Sequence, residues 1–291
     1  MPIKYGYIGY FQSPGGEIIR SKEFNVATQQ NPEFYDHIIG LRDTIPDSEE
    51  TKGSLSEGDE YNTQKTIWRP GVKTTSGTFT FPVTSSEGTC PGFKELFDYS
   101  VSGSYFDFSF FFYSGMQRDF FDCRIANFSL NISGGDVINV TVEIHARYME
   151  ENTDVDCEKH SVSEKLVTWD EVSLVVPGAN LGTSPLQSFN LSITNPIFPI
   201  YTSASNQEGA DALNPQELRV GMQEVNGVLS FYNEGTEFVD MNVAEAKIMT
   251  LGFCDFSTPI KAIFKPIVRP GMVGPVVSTL AYVGIDKPFE E

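Results

Sequence analysis

The chemistry open to this 291-residue chain rests on 39 carboxylates, four cysteines and three histidines. Paired carboxylates can act as acid and base across a glycosidic bond, or gather around calcium. Here they crowd into residues 47–60 and 150–158, runs with the composition of solvated loops. Gly53 could serve as the central glycine of a calcium loop, but the oxygen-bearing residues around it stand at the wrong positions. Cys90, Cys123, Cys157 and Cys254 form no Cys-x-x-Cys pair. With His37, His145 and His160 they give no zinc-ligand spacing, so reduced thiols and no metal are expected. His145 falls in a strand-like run without a serine or cysteine partner, which suits a structural histidine. Phosphate-loop, dinucleotide, nucleophile-elbow and His-Glu-x-x-His motifs are all missing. The expectation is a protein that is not an enzyme, with no catalytic residues and no cofactor.

Charge narrows the partners. Twenty Lys plus Arg against 39 acids leave a formal charge of −19. Such a surface repels phosphate, which argues against sequence-specific nucleic-acid reading and against anionic membranes. No stretch approaches the ~20 apolar residues of a membrane helix. The first residues lack the apolar centre of a signal peptide, so folding in the cytosol is expected. On that basis the Asn-x-Ser/Thr triplets at Asn127, Asn131, Asn139 and Asn190 are coincidences of a Ser/Thr-rich strand protein. Apolar residues make up 40% of the chain, enough for a folded core.

The chain repeats itself. Residues 68–81 align without gaps on residues 218–231, placing Arg69, Gly71, Gly77 and Phe81 on Arg219, Gly221, Gly227 and Phe231 at an offset of 150. The same offset carries residues 93–97 onto 243–247. Upstream, Phe24, Asn25, Asn31 and Pro32 match Phe189, Asn190, Asn195 and Pro196, with offsets of 165 and 164. Downstream, Ala126, Phe128, Gly135, Val137 and Val140 match Ala262, Phe264, Gly271, Val273 and Val276 at 136. Four blocks in the same order predict two copies of one module, residues 1–149 and 166–291, joined by an acidic linker over 150–165. The shrinking offsets place an insertion of about fifteen residues in copy one, within residues 44–64. It carries Asp47, Glu49, Glu50, Glu57, Asp59 and Glu60 against Lys52 alone.

These blocks carry strand patterns. Phe106, Phe108, Phe110 and Phe112 share one face at period two. A stripe of this kind buries into a core or, less often, offers a platform for sugars or bases. Residues 128–132 and 137–144 predict a hairpin around Gly134 and Gly135. Phe93, Leu96 and Phe97 give one short helix, and residues 242–250, with Asn242 as N-cap, a second. The fold class expected is mainly β: two tandem barrel or sandwich modules, each with a short capping α-helix.

Those residues resemble a known family. The carriers are a strand opening at Trp169 and running to Leu174, the Phe-Asn and Asn-Pro segments, and the Arg-x-Gly-x5-Gly strand ahead of the helix. Residues 123–132, followed by a turn and a Val/Thr strand, complete the set. Each copy is similar to the tail tube module of tailed bacteriophages, which also resembles the tube protein of type VI secretion. Pro266, Pro270 and Pro275 depart from the pattern and would set the last hairpin of copy two on an edge or bend it with bulges. The resemblance implies a virion structural protein, assembled in the host cytoplasm, that stacks rings of three chains into a hollow tail tube for genome ejection. Its implied partners are itself, the tail terminator, baseplate and tape-measure proteins, and in some tails a sheath. DNA passes through without specific binding, along a bore expected to be net negative. The six acids of residues 44–64 would touch the neighbouring ring. The alternatives are a two-module carbohydrate-binding or adhesive protein, and a terminator or baseplate component of the same fold that does not polymerise.

Overall fold

The computed structural model describes residues 8–12, 18–38, 64–153, 165–176, 186–201, 213–232, 245–265, 277–285 and 288–289. The protein is mainly β and its strands pair antiparallel. In the first half these are β1 (Gly9–Gln12), β2 (Ile18–Ser21), β3 (Glu23–Phe24), β4 (Ala27–Ile38), β5 (Gln64–Pro82) and β6 (Thr84–Ser85). A helix, α1 (Pro91–Ser102), precedes β7 (Phe106–Phe112), β8 (Met116–Ser133), β9 (Asn139–Ala146) and β10 (Tyr148–Thr153). The second half holds β11 (Lys165–Leu166), β12 (Ser173–Val175), β13 (Leu186–Thr194), β14 (Ile197–Ile200) and β15 (Glu217–Val220). It closes with β16 (Glu224–Tyr232), β17 (Lys247–Phe253), β18 (Phe256–Phe264) and β19 (Val277–Gly284).

Fifteen of these strands belong to one sheet. Neighbours in the first half run β1-β7-β8-β9-β5, with β3 and β4 on the far side of β5. In the second half they run β12-β17-β18-β19-β16-β13. The two orders correspond strand for strand. Registers correspond as well: Phe24 faces Phe79 and Phe189 faces Leu229, displacements of 165 and 150. The β4–β5 ribbon pairs Glu33 with Arg69, and the β14–β15 ribbon pairs Phe198 with Arg219, at the same two displacements.

The halves are joined because β13 also pairs with β8, Leu191 facing Leu130 and Ser188 facing Ser133. One buried cluster runs through both, from Phe11 and Phe79 to Phe264 and Tyr282. The period-two aromatics lie in it. Phe106, Phe108 and Phe110 are buried and Phe112 packs on the cluster. Phe110 stacks on Phe24 at 3.7 Å between ring centres, and Phe108 on Phe120 at 4.7 Å. The stripe is therefore core and offers no platform.

Helix α1 forms where expected. Pro91 is pre-set for a first turn, and Phe93, Leu96, Phe97 and Ser100 put one face into the core. Gly103 ends it in the left-handed region, φ 63°, its N–H donating to the Tyr99 carbonyl at 2.9 Å. Of the second helix expected over 242–250, residues 242–244 lie outside the described residues, and residues 247–250 instead open β17. Met249, Leu251 and Phe253 are buried at period two, and a tight turn at Cys254 and Asp255 folds β17 back on β18. That alternation outweighs the helical spacing further upstream, and β17 takes the place in the order that β7 holds. α1 is the sole α-helix among the described residues.

Three smaller expectations change. Trp169–Glu171 is a 3-10 turn, not the start of a strand, closed by a capping box in which Glu171 accepts from the Thr168 N–H at 3.1 Å. The hairpin of β18 and β19 sits between β17 and β16, inside the sheet; the three prolines lie outside the described residues. The supposed linker begins as strand β10 along β8, and its residues 154–164 lie outside the described residues.

Candidate functional site

The repeat-defining residues occupy corresponding places in the two halves. Phe81 and Phe231 are buried. A Cβ on Gly77 would stand 2.1 Å from the Asn25 carbonyl oxygen, and one on Gly227 stands 2.1 Å from that of Asn190. The same close approach recurs because Asn25 and Asn190 occupy equivalent places on the adjacent strand. Gly71 accepts a hydrogen bond from Gln30 Nε2 at 3.1 Å, and Gly221 donates to the Pro196 carbonyl at 2.7 Å. Arg219 lies at the surface beside Glu217 at 3.2 Å. Arg69 faces Glu33 across the β4–β5 ribbon.

The β4–β5 ribbon extends to the pair Ile38 and Gln64, so the acidic insertion is carried at the end of a two-stranded arm. Gln64 itself belongs to β5. Asp47, Glu49, Glu50, Glu57, Asp59 and Glu60 lie outside the described residues.

Where the halves meet, α1 is held at both ends by the second half. Asp255 Oδ1 accepts from the Cys90 N–H at 3.0 Å, satisfying the backbone donor of an N-cap residue whose own side chain caps nothing. At the other end Asn195 Nδ2 donates to the carbonyls of Ser100 at 2.8 Å and Ile125 at 3.1 Å. Gln223 Nε2 donates to Ser100, Val101 and the Asn195 side-chain oxygen at 3.0–3.1 Å. Between these caps Phe93 packs edge-on to Phe253 and Phe256, both at 4.9 Å. Sequence reading matched Asn195 to Asn31 but assigned it no task. An Asn-Pro pair ahead of a broken strand was the available signal, and the helix it caps is 95 residues away.

The face of the sheet opposite the core is a field of short polar groups crossing both halves. Thr80, Thr141, Ser129, Ser192 and Asn226 form one row across five strands. Asn139, Asn131 and Asn190 form the next. They bond to one another: Thr80 to Thr141 at 3.1 Å and Asn190 Nδ2 to Asn131 Oδ1 at 2.6 Å. Among the described residues of β5, β8 past Asn127, β9, β13, β16 and β19, the acids on this face are Glu143 and Glu224. The −19 of the chain is therefore carried mainly elsewhere.

His145 on β9 lies 3.9 Å from Glu143. Burial holds its imidazole below the ordinary value of 6.5, opposed by the Glu143 charge. The fold thus favours neutral His145. Its contribution to stability is full above about 6.5 and is lost as pH falls toward the depressed value, because the unfolded chain takes up the proton first. In urea titrations between pH 7 and 5, His145→Gln is expected to lose less stability than wild type; parallel losses would show that other groups set the slope.

The thiols divide by exposure. Cys90 and Cys123 are buried, and burial pushes both far above the ordinary thiol range. Cys254 is exposed. Iodoacetamide on native protein is expected to modify Cys254 and to reach Cys90 and Cys123 only on unfolding. Peptide mass spectra showing Cys123 modified as fast as Cys254 would contradict the packing of β8. Among the described residues no group of three His, Cys, Asp or Glu side chains is placed to hold a metal, and no helix is long and apolar enough to cross a membrane. Compared with protein-family models and with curated proteins, the chain matches none.

Proposed function

We propose that this protein is a self-assembling tube subunit of the tailed-bacteriophage kind, two tandem tail-tube modules per chain, with three chains to a ring and rings stacked into a conduit for the viral genome. The observation that carries the proposal is the repeated strand order, with the two halves already joined edge to edge through β13 and β8. A unit that adds to its own copy through a sheet edge can add to further copies in the same way, and a ring is the closed solution for such head-to-tail contacts. In a ring the bulkier layer belongs outside, where circumference is greater. That layer contains α1 and the aromatic core, so the hydroxyl and amide face lines the bore. Glu143 and Glu224 make that wall weakly negative, and it presents few cations to retain phosphate. An adhesin or sugar-binding module is less well supported, since the aromatic stripe that would serve it is buried.

Electron micrographs of purified protein test the proposal. Rings with six-fold appearance, containing three chains by native mass, or filaments of such rings are the expected result. A monomer at every concentration, or a ring of six chains, would falsify it. Deleting residues 47–60 is expected to leave rings intact and to abolish stacking, as it must if this arm contacts a neighbouring ring. Normal filaments from that deletion would assign the acids no role in assembly.

A further inference from the structure

Two cysteines meet where the halves of the chain join. Cys90 stands at the start of α1, and Cys254 lies in the two-residue turn between β17 and β18, 164 residues further along. Asp255, the other residue of that turn, holds Cys90 in place. Its Oδ1 accepts from the Cys90 N–H at 3.0 Å and from the Cys90 thiol at 3.7 Å. The Cys90 thiol also lies within hydrogen-bonding reach of the Cys254 thiol, and Cys254 within reach of the Ser85 hydroxyl. Both cysteines are free thiols in the structure, Cys90 buried and Cys254 exposed. Cys254 takes φ 51°, in the left-handed region where glycine or asparagine is the usual turn residue. The turn gives no reason for a cysteine at that place, whereas a second thiol beside it does.

The two thiols are unequal. Burial raises both. At Cys254, hydrogen bonds from Cys90 and Ser85 oppose that rise, while at Cys90 the Cys254 and Asp255 groups add to it. Cys254 is therefore the thiol that ionises more readily and the one that solvent reaches, and attack on a disulfide needs both properties. Cys123, buried on β8, has neither.

We infer that Cys90 and Cys254 are a reversible dithiol–disulfide pair, oxidised by a small-molecule disulfide such as glutathione disulfide, that fastens the start of α1 to the β17–β18 turn. The Cys254 thiolate attacks one sulfur of glutathione disulfide, whose S–S bond breaks. The first glutathione thiolate leaves and takes up the proton that Cys254 lost. The Cys90 sulfur then attacks Cys254 Sγ as its own proton passes to the Asp255 carboxylate. The second glutathione thiolate leaves and takes that proton. Two protein thiols are oxidised to one disulfide, and one glutathione disulfide is reduced to two thiols. The bond ties the first half to the second within one chain, independently of any ring assembly, and it restricts the unfolded chain across the whole intervening segment.

The test uses the full chain carrying Cys157→Ser. Native protein is incubated with glutathione disulfide, the remaining thiols are blocked with N-ethylmaleimide, and unreduced peptides are read by mass spectrometry. The expected result is a peptide pair joining residues 90 and 254, no lasting glutathione on Cys254, and a Tm raised by roughly 5–10 °C that dithiothreitol reverses. Cys90→Ser keeps a residue suited to the start of a helix, so that variant should fold. It is expected to retain glutathione on Cys254 and to show no rise in Tm. Cys254→Ser is expected to leave Cys90 unmodified. Glutathione persisting on wild-type Cys254 as it does in Cys90→Ser overturns the inference. So does a wild type whose two thiols both remain free when glutathione disulfide is in large excess.

Discussion

Replacing Gly227 with alanine is expected to destabilise the protein by about 2–6 kcal/mol, combining overpacking at ~1–3 kcal/mol with loss of a buried hydrogen bond at ~1–3 kcal/mol. The added Cβ would meet the Asn190 carbonyl oxygen at 2.1 Å and the Tyr282 hydroxyl at 2.3 Å. The first is backbone of β13, pinned between β16 and β8, and cannot withdraw without breaking one of those ladders. The second belongs to a buried tyrosine whose hydroxyl donates to the same carbonyl at 2.9 Å. Moving the ring strands that hydroxyl in the core. Gly135→Ala is the control: its Cβ meets nothing within 4 Å, and only the backbone strain at φ 81° remains, of order ~1 kcal/mol. Urea unfolding of both variants measures the difference. A Gly227→Ala protein as stable as Gly135→Ala would mean that the strands approach less closely than described here.

Phe93→Ala is the second large effect, with about 3–5 kcal/mol expected from deleting a buried aromatic side chain. Phe93 is buried on α1 and touches both halves of the chain, Phe128 at 5.7 Å on one side and Phe253 and Phe256 at 4.9 Å on the other. The consequence reaches beyond the loss itself. With α1 capped at both ends by the second half and packed against it, wild type is expected to unfold in one transition. Weakening the aromatic contact should separate the two halves into resolved steps in a calorimetric scan. One sharp transition in the variant, merely shifted down, would show that the β13–β8 ladder alone couples them.

Much of the organisation was legible in the residues. Period-two aromatics at Phe106, Phe108 and Phe110 foretold a buried strand, since alternate side chains of a strand share a face whatever the surroundings. Phe93, Leu96 and Phe97 foretold α1, because its buried face is written locally at helical spacing. The offsets of 165 and 150 equated positions in the two halves, and the structure pairs those positions alike, Phe24 with Phe79 and Phe189 with Leu229. Three features were decided by contacts between distant parts of the chain. Residues 247–250 became strand because β18 pairs along the whole of β17 and β12 adds a partner from Thr250 onward, which the local helical spacing could not outbid. Asp255, Asn195 and Gln223 became helix caps because folding carries them to an end of α1 between 95 and 165 residues distant in sequence. The acids, so conspicuous in the composition, are sparse on the polar face of the sheet. Composition counts charges without placing them, and only the alternation of side chains across a paired sheet sorts Thr141 and Ser129 to one side and Val142 and Phe128 to the other.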